Sequence, residues 1–178
     1  MQDYIEFAEK NNVLLKDKGP CQFCNAQTER GIHECLEIFN LGFQQIDFSN
    51  PKNHIYRFFI VDAHTLQHPE IHGRWNNHFH LSRLHLILEY NFNWSYQHSP
   101  QLSNYLKKYK LQNKNEVLSP PPLLKRGEIN SLMVLEKAID EAKTKEYVIA
   151  WAKAVYLAWK DHHHTVDSIA KGFLKNNY

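Results

Sequence analysis

The C-terminal third of the chain carries apolar residues at helical spacing almost without interruption. Segments 128–142 and 144–176 both show this pattern, and glycine is absent between positions 128 and 171. Apolar residues three and four positions apart share one face of a helix, so both segments are predicted to be amphipathic helices. The apolar positions are Leu132, Leu135, Ala138, Ile139, Val148, Trp151, Val155, Ala158, Trp159, Val166 and Ile169.

The first two thirds of the chain break into shorter periodic segments separated by turn residues. The run HPEIHGRWNN, residues 68–77, is predicted to be a loop because of its proline, glycine and paired asparagines. Segment 79–89 is strongly apolar and predicts a buried helix, with a strand as the alternative over so short a run. Helices are predicted at about 2–12, at about 34–47, from the turn at 49–53 to Pro69, at 79–89 and at 100–111.

The fold class follows from the absence of strand patterns. Alternating β-branched runs bounded by turns are missing, so we expect an all-α, single-domain bundle of five or six helices. The triple proline at 120–122 predicts extended, exposed backbone. The expected divisions of the single domain 1–178 are an N-terminal extension (1–19), Cys/His-containing helices (20–110), a proline-rich connection (111–127) and C-terminal helices (128–178).

Composition and charge exclude several classes of protein. The chain has 178 residues, of which 43% are hydrophobic and 22% charged, and no apolar run approaches the length of a membrane helix. The first residues lack the basic segment and apolar stretch of a secretory signal, so a cytoplasmic location is expected. The net charge of +2 is too small to indicate nucleic-acid binding. We therefore expect neither a nucleic acid nor a membrane as a partner.

Three cysteines lie within fifteen positions, in GPCQFCNAQTERGIHEC, residues 19–35. A CxxC pair such as Cys21 and Cys24 places two thiolates at the spacing that tetrahedral zinc requires. His33 and Cys35 follow nine and eleven residues after Cys24 and would complete a Cys3His site in a zinc-knuckle-like loop near the N-terminus of the bundle. Such a site is closed and therefore structural in type. Two alternatives remain open: three thiols without a metal, and a redox CxxC, although no strand of a thioredoxin-like fold precedes Cys21.

The twelve histidines of the chain suggest further chemistry. His64 and His68 lie four residues apart on a predicted helix, so their side chains share a face and could bind one ion together. Asp62 precedes His68 by six residues and is a candidate for orienting a metal-bound imidazole. For any single histidine, however, the commoner role is a partly buried ring that hydrogen bonds to a carbonyl or a carboxylate.

Five motifs follow one another along the chain: CQFC at 21–24, a cysteine that starts a helix at 35, VDAHTLQHP at 61–69, FHLSRLHLILE at 79–89 and WAKAVYLAWKDHHHTV at 151–166. Their order resembles a bacterial family classed as a domain of unknown function, DUF5946. The resemblance spans about residues 20–168, and its most specific parts are the QHP tripeptide and the W-x7-W-x2-HH spacing. Asn25 stands where the family prefers glycine.

The resemblance implies a set of site positions and little biochemistry. It adds His68 to His33 as a candidate for the fourth metal ligand, and Gln67 to Asp62 as a residue behind the ligands. The positions that match the family pattern are Cys21, Cys24, Cys35, Asp62, Gln67, His68, Pro69, His80, Trp159, His162 and His163.

Two functional hypotheses follow. In the first, zinc is structural and function lies on a surface, where the proline-rich segment 119–126 could dock in the aromatic groove of a protein partner. In the second, His68 and His80 converge with one of His162 and His163 between the helices, and the three form the pocket of a metal-dependent enzyme, of hydrolase or thiol transferase type. We favour structural zinc, because no nucleophile with a dedicated base is visible.

Overall fold

The computed structural model describes residues 3–177 and consists of helices joined by loops. Within that range the only β-type contact is an isolated bridge between Gly19 and Arg30. Three short 3-10 helices, at Pro51–Asn53, Pro69–Ile71 and Lys160–His162, lie next to longer helices. The α-helices are α1 (Asp3–Lys10), α2 (Gly31–Leu41), α3 (His54–Gln67), α4 (Arg74–Glu89), α5 (His98–Gln112), α6 (Ser131–Glu136), α7 (Glu141–Ala158) and α8 (His163–Asn177). The all-α class is confirmed.

The described range has eight α-helices, more than the five or six expected, and one of the additional helices arises because the 3-10 helix Lys160–His162 divides the predicted segment 144–176 into α7 and α8. The predicted helix over 128–142 shortens to α6, which the Asn130 side chain caps by accepting a hydrogen bond from the Met133 amide. Asp140 caps α7 in the same way through the Lys143 amide. Asparagine and aspartate favour this N-cap position over a helix interior, so an apolar period alone overestimates the length of the helix.

Two further boundaries differ from the sequence predictions. α2 ends at Leu41, earlier than the predicted 47, and a Cβ on Gly42 would lie 2.3 Å from Leu135 of α6. α4 begins at Arg74, so the last residues of the predicted loop 68–77 are helical. The segment 79–89 lies wholly within α4, which removes the strand alternative.

The main core lies where α3 packs against α7 and α4, and where α4 packs against α8. Trp151 and Trp159 of the tryptophan motif are fully buried there. Both indole N–H groups donate to α3: Trp151 to the Gln67 side-chain oxygen at 3.0 Å and Trp159 to the Leu66 carbonyl at 3.1 Å. These bonds satisfy the polar atoms of two large buried rings and fix the C-terminal end of α3.

A second, smaller cluster of buried residues lies at the N-terminal end of the molecule. It joins the three cysteines to α1, to α2 and to the 3-10 turn after α3. Its members are Ala8, Cys21, Phe23, Cys24, Ala26, Ile32, Cys35 and Ile71, which we call the N-terminal cluster. None of the helices in residues 3–177 combines the length and apolar character needed to cross a membrane.

Candidate metal centre

The CxxC motif forms a tight turn closed by backbone hydrogen bonds. The Asn25 amide donates to the Cys21 carbonyl at 2.9 Å, and the Cys21 amide donates to the Ala26 carbonyl at 2.9 Å. Asn25 has φ of +59°, in the left-handed region that asparagine tolerates better than most residues. This explains how asparagine can occupy a position of the turn that would otherwise favour glycine.

Cys35 is placed by the start of α2. Gly31 opens this helix with φ of +55°, and a Cβ at Gly31 would lie 2.1 Å from the Lys16 carbonyl oxygen. Only glycine fits so close an approach, which holds the loop before Cys21 against the start of α2. Cys35, one turn into the helix, is thereby brought to the CxxC turn, with its sulfur 3.7 Å from that of Cys24.

His68 reaches the cysteines from the C-terminal end of α3. Pro69 follows it, and His68 itself leaves the helical conformation with φ of −124° and ψ of 44°. Its Nδ1 lies 2.7 Å from the His64 carbonyl oxygen. Because a carbonyl only accepts hydrogen bonds, Nδ1 carries the proton and donates it. The Nε2 atom therefore faces the sulfur atoms, the arrangement found for histidines that bind metals.

The four side chains form a compact, buried group. His68 Nε2 lies 3.5 Å from the sulfur of Cys21 and 3.5 Å from that of Cys35, and all four ligand atoms lie within 4.8 Å of one another. In a tetrahedral zinc site, bonds of about 2.3 Å to sulfur and 2.0 Å to nitrogen place ligand atoms about 3.5 to 3.8 Å apart. The Cys3His group thus has the spacing and the donor atoms of a tetrahedral metal site.

The electrostatics of the group match this geometry. Hydrogen bonds from Cys24 and Cys35 lower the pKa of the Cys21 thiol, whereas hydrogen bonds to Cys21 and Cys24, with burial, raise that of Cys35. Burial lowers the pKa of His68, but electrostatic attraction to Cys24 and hydrogen bonds to Cys21 and Cys24 outweigh it and raise this pKa to about 10. Negative charge in the buried group is therefore compensated by a proton, which a divalent cation would displace.

His33, the ligand suggested by sequence proximity, lies outside this group. Its Nδ1 is 2.7 Å from the Tyr4 hydroxyl, and the two rings meet edge to face. Residues two apart on a helix do not share a face, so His33 and Cys35 of α2 point in different directions. The structure therefore does not bring His33 to the three cysteines, and the side chain that lies beside them is that of His68, the other candidate.

Asp62 does not contact His68. Six residues of α-helix correspond to a rotation of about 240°, which directs the two side chains to different faces of α3. The fully buried Asp62 carboxylate instead accepts hydrogen bonds from His80 Nδ1 at 2.6 Å and from the Arg83 guanidinium, including one from Nε at 2.9 Å. Asp62 thus pairs α3 with α4. The His68 ring, which Asp62 was expected to orient, is oriented by its hydrogen bond to the His64 carbonyl.

Gln67 also has a different role from the one expected. Its amide nitrogen donates to the backbone carbonyls of Arg126 at 3.1 Å and Ile129 at 2.8 Å, and its oxygen accepts the Trp151 N–H. These partners satisfy a fully buried amide and attach the end of the proline-rich connection to α3. Gln67 therefore fixes the position of the backbone at residues 126–129 next to α3, and its side chain has no hydrogen bond to His68 among those described.

The three remaining histidines of the expected cluster do not converge. His80 pairs with Asp62, the Nε2 of His162 lies 2.9 Å from the Ser119 carbonyl oxygen, and His163 stacks on Tyr156 with ring centroids 3.9 Å apart. In the part of the chain that the structure describes, the Cys3His group is the only set of three or more ligating side chains with such short mutual distances. The expected three-histidine pocket is absent from that part.

Two residues around the centre were not identified from the sequence in these roles. His64, expected to share an ion with His68, stacks between Phe39 and His68 at centroid distances of 3.8 and 4.2 Å. Burial lowers its pKa, so the ring is neutral. Phe23, inside the CxxC motif, packs its ring edge to face against His68 at 5.6 Å. The four-residue spacing of His64 and His68 was the available signal for their contact, but it does not specify stacking.

Comparison with known proteins gives one match. The model of a family of unknown function, DUF5946, matches residues 19–160, a range that includes all four members of the Cys3His group. No curated protein and no solved structure matches the chain. Because the match covers most of the sequence, the chain belongs to the DUF5946 family.

Proposed function

We propose that this chain is a zinc-binding protein and that the zinc has a structural role. The observation that carries the proposal is the buried Cys3His group, whose four ligand atoms lie within 4.8 Å of one another, with three of the distances at 3.5 to 3.7 Å. Soft thiolates with one imidazole in tetrahedral spacing select zinc over hard cations such as magnesium and calcium. Zinc would replace the proton shared among these side chains and bind His68 at Nε2.

The role is structural because the protein supplies all four ligands. A catalytic zinc keeps one position for water or substrate, whereas a Cys3His set fills the tetrahedron. The group is also shielded from solvent: the exposed fraction is 7% for Cys24 and at most 1% for Cys21, Cys35 and His68. A water molecule has no vacant position to occupy at such a metal.

The zinc would tie the loop around the CxxC turn to the end of α3. This loop has few other attachments, among them the bridge of Gly19 to Arg30 and the hydrogen bond from the Leu124 amide to the Phe23 carbonyl at 3.3 Å. The alternative, a metal-dependent enzyme with a three-histidine pocket, has lost its support, because His80, His162 and His163 have separate partners.

The location and partner remain proposals of the same kind. A site of three free thiols suits a reducing compartment, so we propose that the protein is cytoplasmic. Segment 119–126 exposes Leu123 and Leu124, while the ion pair of Arg126 with Glu70 attaches the segment to the body. Docking of this segment in a partner's aromatic groove stays a prediction.

Metal analysis of matched variants tests the proposal. We expect the purified protein to contain about one equivalent of zinc and His68→Gln to contain less than about a tenth of that, because a three-ligand remnant of a closed site binds much more weakly. His33→Gln is the matched control, since it removes a histidine from the same region but not from the group, and it should retain the metal. Equal metal content in both variants, or no zinc in the parent protein, would contradict the proposal.

A further inference from the structure

A groove between α4 and α5 combines aromatic walls with two lysines. Its volume is about 370 Å³, at the lower end of the range for small-molecule pockets. Trp75 and Phe79 line it from α4, and Leu106, Lys107 and Lys110 line it from α5. Residues three and four positions apart share a helix face, so each helix presents one stripe of side chains to the groove. These five residues lie outside both the Cys3His group and the N-terminal cluster.

The aromatic walls of the groove are held in place by neighbouring side chains. The Trp75 ring stacks on the ring of the fully buried His78, with centroids 4.1 Å apart. The Lys110 ammonium lies 5.5 Å from the Trp75 centroid, within cation–π range, so this charge is placed at the aromatic wall. The Arg83 guanidinium lies 4.9 Å from the centroid of Phe79 and supports that ring in the same way. Both rings and one positive charge are therefore positioned before any ligand binds, which lowers the cost of binding.

The two lysines of the groove lack a counter-ion in the described part of the chain. Both are exposed, and neither forms an ion pair there. Between positions 71 and 115 the sequence contains a single acidic residue, Glu89, against four lysines. The first acidic residue after α5 is Glu116, whose carboxylate oxygens are engaged by His78 at 3.2 Å and by the Tyr109 hydroxyl at 2.9 Å. The groove thus carries uncompensated positive charge, which attracts an anion.

We propose that this groove binds small aromatic carboxylates. The ring of the ligand packs against Trp75 and Phe79, and its carboxylate accepts charge-assisted hydrogen bonds from Lys107 and Lys110. A small molecule is the expected occupant, because the groove has the volume for one such ligand and the whole chain carries a net charge of only +2. The proposal goes beyond the structural zinc and does not depend on it.

Titration with 2-naphthoate, followed by nitrogen–proton correlation NMR of the full-length protein, tests the proposal. Each of the four tryptophans contributes one indole N–H signal. We expect the Trp75 signal to shift with a Kd of about 1 mM or tighter, as is usual for a ligand of this size. The signals of Trp151 and Trp159, whose N–H groups are hydrogen bonded in the main core, should not move. A Trp75 signal that is unchanged at about 10 mM ligand, or equal shifts of all three signals, would overturn the proposal.

An uncharged ligand and a matched pair of variants test the role of the lysines. The amide 2-naphthamide has the same ring without the charge and should bind at least about threefold more weakly than 2-naphthoate. Lys110→Gln should reduce this difference between the two ligands. Lys153→Gln, the same change at an exposed lysine of α7, should leave the difference unchanged. Equal affinities for the acid and the amide, or equal effects of the two variants, would contradict the proposal.

Two competing occupants are tested by the same NMR signals. Acetate has the charge without the ring and should bind at least about tenfold more weakly than 2-naphthoate, because it cannot use the aromatic walls. Acetate binding as tight as that of 2-naphthoate would show a simple anion site and would contradict the proposal. A single-stranded oligonucleotide that displaced 2-naphthoate at about micromolar concentration would assign the groove to nucleic acid and would also overturn it. The zinc content enters none of these outcomes, so failure of this proposal leaves the proposed function standing.

Discussion

The main core and the N-terminal cluster are stabilised in different ways. The main core is built from helices whose faces bury aliphatic and aromatic side chains, including Trp151 and Trp159. The N-terminal cluster has few large apolar side chains apart from Phe23, Ile32 and Ile71, and three of its members are cysteines. Apolar burial can stabilise the first region alone, whereas the second lacks the buried area to do so. A metal would supply the missing stabilisation.

The largest expected effect is the loss of the metal from the N-terminal cluster. Cys35→Ser replaces a fully buried ligand, and we expect zinc content to fall below about a tenth of the parent value because the closed site is broken. Circular dichroism should show that most helical signal persists, since α3, α4, α7 and α8 pack without the cysteines. Global unfolding of this variant would mean that the two regions do not differ as proposed.

A core substitution should have the opposite pattern. Leu84→Ala in α4 leaves a cavity in the main core and should lower the free energy of unfolding by about 2 to 5 kcal/mol. Zinc content should stay at about one equivalent, because Leu84 belongs to the main core and not to the N-terminal cluster that contains the cysteines. Chemical denaturation and metal analysis of the same preparation measure both effects.

The ion pair of Arg126 and Glu70 links the proline-rich connection to the turn after His68. The Arg126 guanidinium is almost fully buried and also donates to the Gln67 carbonyl at 3.1 Å. Glu70→Gln leaves this charge without its counter-ion and should cost about 3 kcal/mol of unfolding free energy. Glu146→Gln is the control, since the exposed pair of Glu146 with Lys143 should contribute less than about 1 kcal/mol. Equal losses of unfolding free energy in Glu70→Gln and Glu146→Gln would contradict the prediction that the buried ion pair contributes more than the exposed one.

Acid should destabilise the region between the two clusters through His72. Burial, followed by the charges of His80 and His68, lowers the pKa of His72 to about 3. Because this is below the ordinary value, the unfolded chain binds a proton that the folded chain does not. The share of stability that comes from His72 therefore falls as pH drops from about 6.5 towards 3, by at most about 1.4 kcal/mol per pH unit for this one group. His72→Asn should reduce this slope in urea denaturation with a chelator present, and an unchanged slope would contradict the assignment.

The smallest expected effect is at the turn of the CxxC motif. Asn25 has positive φ, so Asn25→Gly should change stability by less than about 1 kcal/mol, whereas Asn25→Val should cost about 1 to 3 kcal/mol because a β-branched residue is strained there. The strain lies beside Cys24, so the valine variant should also bind zinc more weakly. A competition titration with a chromophoric chelator compares the two variants, and equal affinities would show that the turn does not limit binding.

Much of the fold was predictable because helix formation depends on local patterns. The apolar period identified the region of α7 and α8 as one segment, 144–176, but the 3-10 helix Lys160–His162 divides it into two helices. The Cys3His composition was likewise suggested by the spacing of the cysteines and by the QHP motif. The sequence did not indicate which of His33 and His68 lies beside the three cysteines, because this depends on which face of its helix each histidine occupies and on how the helices pack.

The second histidine cluster could not be assessed from sequence for a related reason. His80, His162 and His163 lie in distinctive motifs, but a motif does not specify which face a residue occupies after packing. In the structure each of them satisfies a local hydrogen bond or stacks on a neighbouring ring. Tertiary packing, which the sequence pattern does not encode directly, decided their roles.

Hydrogen exchange with and without zinc tests most directly the claim that a metal stabilises the N-terminal cluster. Exchange of backbone amides is followed by mass spectrometry in the metal-loaded protein and after chelation, at the same pH. We predict that removing zinc increases exchange in peptides covering residues 13–36 and the end of α3, while peptides from α7 and α8 keep their protection. Unchanged exchange around the cysteines, or an equal increase throughout the chain, would contradict the claim.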